Sequence, residues 1–170
     1  EPLARLSQKY PGRIEFTIIG PFHRTDDLES LFPNTRLRFL PFIDPEKIPP
    51  HIAEFDIGVM PLFDTDLEKG KCASKALVYM AASVPAVCSR VGENKHVIQD
   101  GVNGFLASNS DEWILKLTHL IENPDLRKTL GQNGRKTVEE RYATEVCYRI
   151  LRNEVLDPLL GSRRKPSAGS

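Results

Sequence analysis

The 170-residue chain carries 23 basic and 23 acidic side chains among 40% apolar residues, an ordinary globular composition with chain enough for one real core. Zero formal net charge gives no support to a nucleic-acid binder, and the longest apolar stretch, residues 76–87, contains Ser83 and Pro85 and is too short to span a bilayer. Cys72, Cys88 and Cys147 fit neither a zinc spacing nor an even disulfide framework and read as free thiols in a reducing, cytoplasmic setting.

In chain order, residues 3–9 read as a short helix stopped by Tyr10-Pro11-Gly12. The chain starts at Glu1 with no signal peptide in view and no cap ahead of Leu3, so a fragment of a longer protein is expected. The run 14–19 (IEFTII), closed by Gly20-Pro21, predicts a strand; residues 26–32 suit a surface helix. Residues 37–42 (LRFLPF) alternate and predict a strand with Pro41 at its end. Pro49 and Pro50 fit a first helical turn, and 51–55 reads as a short helix. Residues 56–62 (DIGVMPL) form the next buried strand, followed by a polar loop over 64–71.

Residues 74–82 predict a helix that is apolar nearly all round and therefore buried on several sides. A buried strand follows at 85–88, then a short helix at 94–99, turns at Asp100-Gly101 and Asn103-Gly104, and a strand stub at Phe105-Leu106. Asn109 and Glu112 make a capping box for a helix with Trp113, Leu117, Leu120 and Ile121 on one face. Asn123-Pro124 opens a helix through Leu126, Leu130 and Val138, and Val146, Ile150 and Leu151 mark a third that runs to about Leu156. Residues 161–170 (GSRRKPSAGS) predict a disordered tail, leaving 1–160 as one domain.

Alternating strands and helices predict an α/β fold, a Rossmann-like parallel sheet with helices on both faces and further helices at the C-terminus. Ligands bind such sheets at the carboxyl ends of the strands. That edge would hold Gly20, Phe42-Ile43, Leu62-Phe63, residues 70–75 and residues 89–94. The loop GKCASK brings Gly70, Lys71, Cys72, Ala73, Ser74 and Lys75 to a helix start, where free N–H groups and two lysines suit an anion such as phosphate. Each residue has a plainer reading as well. The lysines suit a solvated loop, Ser74 an ordinary N-cap and Phe42 the core. Asp64, Asp66 and Glu68 read as a solvated loop, His96 as a surface residue, and four scattered histidines suggest no metal site. No His stands near Cys72 in sequence, which argues against a nucleophilic thiol.

The order of TIIG (17–20), Arg38-Phe39, FDIGVMP (55–61), YMAASVPAV (79–87), SRVG (89–92) and DGVNGFL (100–106) resembles the C-terminal, donor-binding half of retaining B-type (GT-B) glycosyltransferases, the glycogen-synthase-like or group 1 family, over residues 3–156. The resemblance implies a domain that binds a nucleoside-diphosphate sugar without metal or cofactor, for transfer of the sugar to an acceptor hydroxyl. Lys75 and Lys71 would face the diphosphate, Phe42 and Ile43 the base, and Gly92 a turn near the sugar. The resemblance also implies that the acceptor-binding N-terminal domain and the first strand of this domain lie outside the chain, so that the isolated piece would be inactive. Association of the parent protein with a membrane stays open, and no nucleic-acid partner is expected.

Two family glutamates, placed eight positions apart, fall at Gly70 and Val78, and a third falls at His96. Valine cannot accept a hydrogen bond from the ribose that the second acid would hold. The loop instead follows a sub-branch with the pattern Gly-Lys-Cys-x-x-Lys. Two other readings therefore stand beside a working transferase domain: a catalytically degenerate structural or regulatory domain of the same fold, and a generic nucleotide- or phosphate-binding module.

Overall fold

The computed structural model describes residues 1–20, 32 and 35–162. The helix expected over 26–32 falls outside the described residues except for Phe32. So does the expected tail beyond Ser162, while Gly161 and Ser162 continue the last helix.

Helix α1 (Pro2–Lys9) has proline in its first turn and ends where the Tyr10 amide donates to Leu6 O at 2.8 Å. Strand β1 (Glu15–Ile19) pairs in parallel with β2 (Arg36–Leu40), from Glu15 opposite Arg36 to Ile19 opposite Leu40. β2 ends earlier than the alternation suggests because Pro41 has no N–H for a ladder. That leaves Phe42 outside the strand and 68% exposed, so it is not a core residue. A 3-10 turn at Pro45–Lys47 runs into α2 (Ile48–Ala53), which starts ahead of the expected 51–55 because both prolines are accommodated in its first turn.

Strand β3 (Gly58–Met60) pairs with β4 (Ala86–Ser89), and β4 with β5 (Phe105–Ala107), all in parallel. The chain is thus the expected α/β fold of parallel strands with helices on both sides, but pairing is divided. β2-β1 forms one sheet and β3-β4-β5 another, with no ladder between β1 and β3. The loop expected at 64–71 contains a one-turn helix, α3 (Asp66–Lys69). Thr65 caps it by accepting the Glu68 N–H at 3.3 Å, with acids in its first turn and Lys69 in its last.

Helix α4 (Ser74–Ala81) buries Ala76 and Met80, but Val78 on its outer face is 40% exposed, so burial is one-sided. α4 ends in a Schellman motif. Ser83 takes φ +59°, Val84 N–H donates to Tyr79 O at 2.9 Å and Ser83 N–H to Met80 O at 3.0 Å. Burial holds the Tyr79 hydroxyl and the Cys88 thiol protonated, each pushed up to about 12.

Helices α5 (Asn94–Val97), α6 (Ser110–Glu122) and α7 (Pro124–Arg141) complete the packing. Asn109 accepts the Glu112 N–H at 2.9 Å, while the Glu112 carboxylate returns to the Ser108 N–H at 2.8 Å, one residue further out than a standard capping box. Asn123 caps α7 through the Leu126 N–H at 3.0 Å. Strand residues alternate between two cores. Val87 and Phe105 join Leu6, Leu117, Leu120 and Leu130 on one face. Ala86, Cys88 and Leu106 join Met60, Met80 and Val97 on the other. The third helical stretch outlasts Leu156: α8 (Thr144–Ile150), a π-helical Leu151–Leu156 and α9 (Asp157–Ser162) follow one another, with Tyr148, Leu151 and Leu159 exposed. Among the described residues no helix is long and apolar enough to cross a membrane.

Candidate functional site

Parallel strands send their carboxyl ends to one edge of their own sheet, so the segments after β1 and β2 share one such edge and those after β3 and β4 share another. Gly20, at φ +122°, closes β1 by donating to Leu40 O at 3.2 Å. Phe42 and the half-buried Ile43 follow β2. Residues 61–75 follow β3, with Phe63 82% exposed.

This long segment is clamped at three points. The Leu62 amide donates to Oγ of the buried Ser89 at 2.8 Å, which ties the exit of β3 to the end of β4. Gly92, at φ +53°, lies against the Lys69 backbone so closely that a Cβ there would sit 2.7 Å from the Lys69 carbonyl. Its turn is the expected one, and its absent side chain makes room for α3. Ala73 and Ala76, both fully buried, pin the start of α4 in the core.

The two lysines part company in three dimensions. Lys71 Nζ lies 2.8 Å from both carboxylate oxygens of Glu68, so much of its charge is already balanced. Asp64 and Asp66 likewise pair with Lys69, at 3.2 and 3.4 Å. Lys75 is exposed and has no partner among the described residues. It stands at the first turn of α4, where the amides of Lys75 and Ala76 have no backbone partner either.

Ser74 behaves differently from both sequence readings. The N-cap position belongs to Ala73, no side chain caps the helix, and the Ser74 N–H is taken by Cys72 O at 2.6 Å. The free donors are therefore shifted one and two residues along. Cys72 is an exposed thiol beside them, and Gly70 closes α3. Val78 lies on the open face of α4, and His96 is exposed on α5.

Sequence reasoning missed the clamps. Ser89 and Asn94 are both buried, and Asn94 Nδ2 donates to Ser89 O at 3.0 Å. Asn94 Oδ1 is buried with no partner among the described residues. Nothing local marks either residue. The Glu68–Lys71 pair does have a signal, since three-residue spacing brings side chains together on a helix, but only once α3 is known to exist.

The structure superimposes on Anabaena Alr3699/HepE, solved with UDP and glucose, with a TM-score of 0.69 at 21% identity, over 95% of this chain and 44% of that one. Against sucrose-phosphate synthase from Thermosynechococcus elongatus the TM-score is 0.73 at 17% identity, over 94% and 41%. These likenesses place the fold among GT-B structures. The uncharacterized glycosyltransferase MJ1178 of Methanocaldococcus jannaschii is 41% identical over 70 residues, which are 40% of this chain and 20% of that protein. The match thus spans a fifth of that relative's length. The family model of group 1 glycosyl transferases matches residues 1–123, most of the chain. On that match, the chain belongs to the group 1 glycosyl transferases.

Proposed function

We propose that this chain is the donor domain of a cytoplasmic glycosyltransferase, of the Gly-Lys-Cys-x-x-Lys branch, that binds a nucleoside-diphosphate sugar and passes the sugar to an acceptor hydroxyl with retention at the anomeric carbon. The observation that carries this is Lys75, without a partner among the described residues, at the start of a helix whose Lys75 and Ala76 amides also lack one there, in the segment that follows β3. As the bond from sugar to diphosphate breaks, negative charge builds on the leaving phosphate. A cation and N–H groups already aimed at that position stabilise it without reorganising. Lys71, held by Glu68, shapes the loop and adds less charge. No metal or cofactor enters this reading. Phe42 and Ile43 would flank the base, and the acceptor domain would be supplied by polypeptide outside this chain, without which the domain does not turn over.

A degenerate, regulatory role is the second reading, and Gly70, Val78 and His96 favour it: none is the acid that the resemblance leads one to expect. Calorimetric titration with UDP, GDP and their sugar conjugates, on this chain and on the full-length protein, separates the possibilities. The donor reading expects one nucleotide to bind saturably, with Lys75→Ala weakening it about tenfold, about 1.4 kcal/mol, and Lys71→Ala weakening it less. No binding to either form would leave the degenerate domain. Equal binding of inorganic pyrophosphate and every nucleotide would point to a generic phosphate module.

A further inference from the structure

Residues 64–75 carry three acids and three lysines, and the acids are matched to two of those lysines. Lys69 lies between Asp64 and Asp66, whose side chains are largely in water. Glu68 is different. Its side chain is only 17% exposed, and the cation it meets is Lys71. Its Oε2 is buried and, among the described residues, has no hydrogen-bond donor aligned with it, although Lys71 Nζ lies 2.8 Å away. Glu68 is thus a carboxylate taken largely out of water and balanced through one ammonium. Such a group is costly to leave without its cation.

Lys71 is the half of the pair that can be redirected. Its backbone is anchored, because its N–H donates to Glu68 O at 3.2 Å. Its side chain is half exposed, and an ammonium on a flexible four-carbon stem turns without moving the backbone. The pair draws that side chain back over α3, toward a residue three positions earlier. The N-cap of α4, Ala73, lies two residues in the other direction. Two residues span at most about 7 Å, so the start of α4 is within reach of the Lys71 ammonium.

We infer that the Glu68–Lys71 ion pair is an autoinhibitory latch: Glu68 holds Lys71 on α3, and a bound diphosphate recruits Lys71 by displacing Glu68. This rests on the reading of the loop as a diphosphate site. A diphosphate offers several negative charges and strong acceptor oxygens where Glu68 offers one carboxylate. When the diphosphate leaves, the largely buried Glu68 carboxylate is uncompensated and draws Lys71 back. Lys75 is the standing cation of the loop and Lys71 the held one, so the loop binds anions more weakly than its lysines alone would allow. Glu68 acts through Lys71 and is a positioning residue.

The test is calorimetric titration of the full-length protein with UDP, GDP and inorganic pyrophosphate, in the parent, Glu68→Gln, Lys71→Ala and the double variant. Glu68→Gln should tighten the diphosphate that binds by roughly three- to fivefold, the scale of a partly exposed ion pair. In the Lys71→Ala background the same change should gain less than about twofold, since only general repulsion between Glu68 and phosphate remains to be removed. An equal gain in both backgrounds overturns the latch, because Glu68 would then act by its own charge. Unchanged or weaker binding in Glu68→Gln also overturns it, and leaves the donor reading standing if the parent binds. Binding that appears in Glu68→Gln alone and is lost in the double variant supports a latch that stays closed in the parent. No binding in any of the four forms overturns the latch and the donor reading together.

Discussion

At the scale of single residues, the site turns on which charges are already balanced. Lys71 and Lys75 are alike in sequence and four positions apart, yet of the two, among the described residues, Lys71 alone meets a carboxylate. Val78 offers the sharpest test at this scale. Its side chain is 40% exposed on the open face of α4, so Val78→Glu should change stability by no more than about 0.5 kcal/mol. If this face holds the ribose, Val78→Glu should tighten a nucleoside diphosphate up to about tenfold, about 1.4 kcal/mol, and leave pyrophosphate unchanged in the same titration. An equal effect on both ligands, or none, would remove Val78 from the ribose site. The GKCASK loop was readable because a helix N-terminus and its flanking lysines are neighbours along the chain. The occupied Ser74 amide was not, because it depends on the backbone turn at Cys72-Ala73.

At the scale of elements, the site helix is positioned by the close approach of α7. A Cβ on Gly131 would lie 2.0 Å from the Ser83 carbonyl, the residue that ends α4 in a left-handed conformation. A Cβ on Gly134 would meet the Met80 side chain less severely, at 3.1 Å. Gly131→Ala must push the end of α4 away and should cost about 1–3 kcal/mol in chemical denaturation, the usual range for overpacking. Gly70→Ala is the control: its nearest contact would be 3.6 Å at an ordinary φ, and its midpoint should barely move. Neither glycine looks different in sequence. A glycine in a helix reads only as a weak propensity, and its partner, Ser83, lies far away along the chain.

At the scale of the whole molecule, Asp100 joins the end of β4, the start of β5 and α6. It accepts from Arg90 at 2.7 Å, from Lys116 at 2.8 Å and from the Leu106 N–H at 2.9 Å. Partial burial alone would raise its pKa, but the Lys116 and Leu106 hydrogen bonds and the nearby cations outweigh that and hold it below 3.8. A carboxyl depressed on folding stabilises the protein above its unfolded value and loses that contribution as pH falls through the folded one. Asp100→Asn should therefore be less stable than the parent near neutral pH, and the difference should shrink below pH 3.8, as read by urea denaturation at both pH values. A constant difference would mean that the Asp100 contacts act by geometry rather than by charge.

By itself the sequence determined the elements and their order, because periodicity, prolines, caps and turn glycines act over a few residues. IEFTII, the Asn109 and Asn123 caps and the Asp100-Gly101 turn all appear where local chemistry puts them. Even the errors were local: β2 was cut at Pro41, and α3 emerged because Thr65 could cap it. Only the tertiary structure decided what meets what. It paired Lys71, left Lys75 without a partner among the described residues, seated Gly92 on the Lys69 backbone and divided the strands between two sheets. Those outcomes depend on contacts between residues far apart in the chain, which no local pattern encodes.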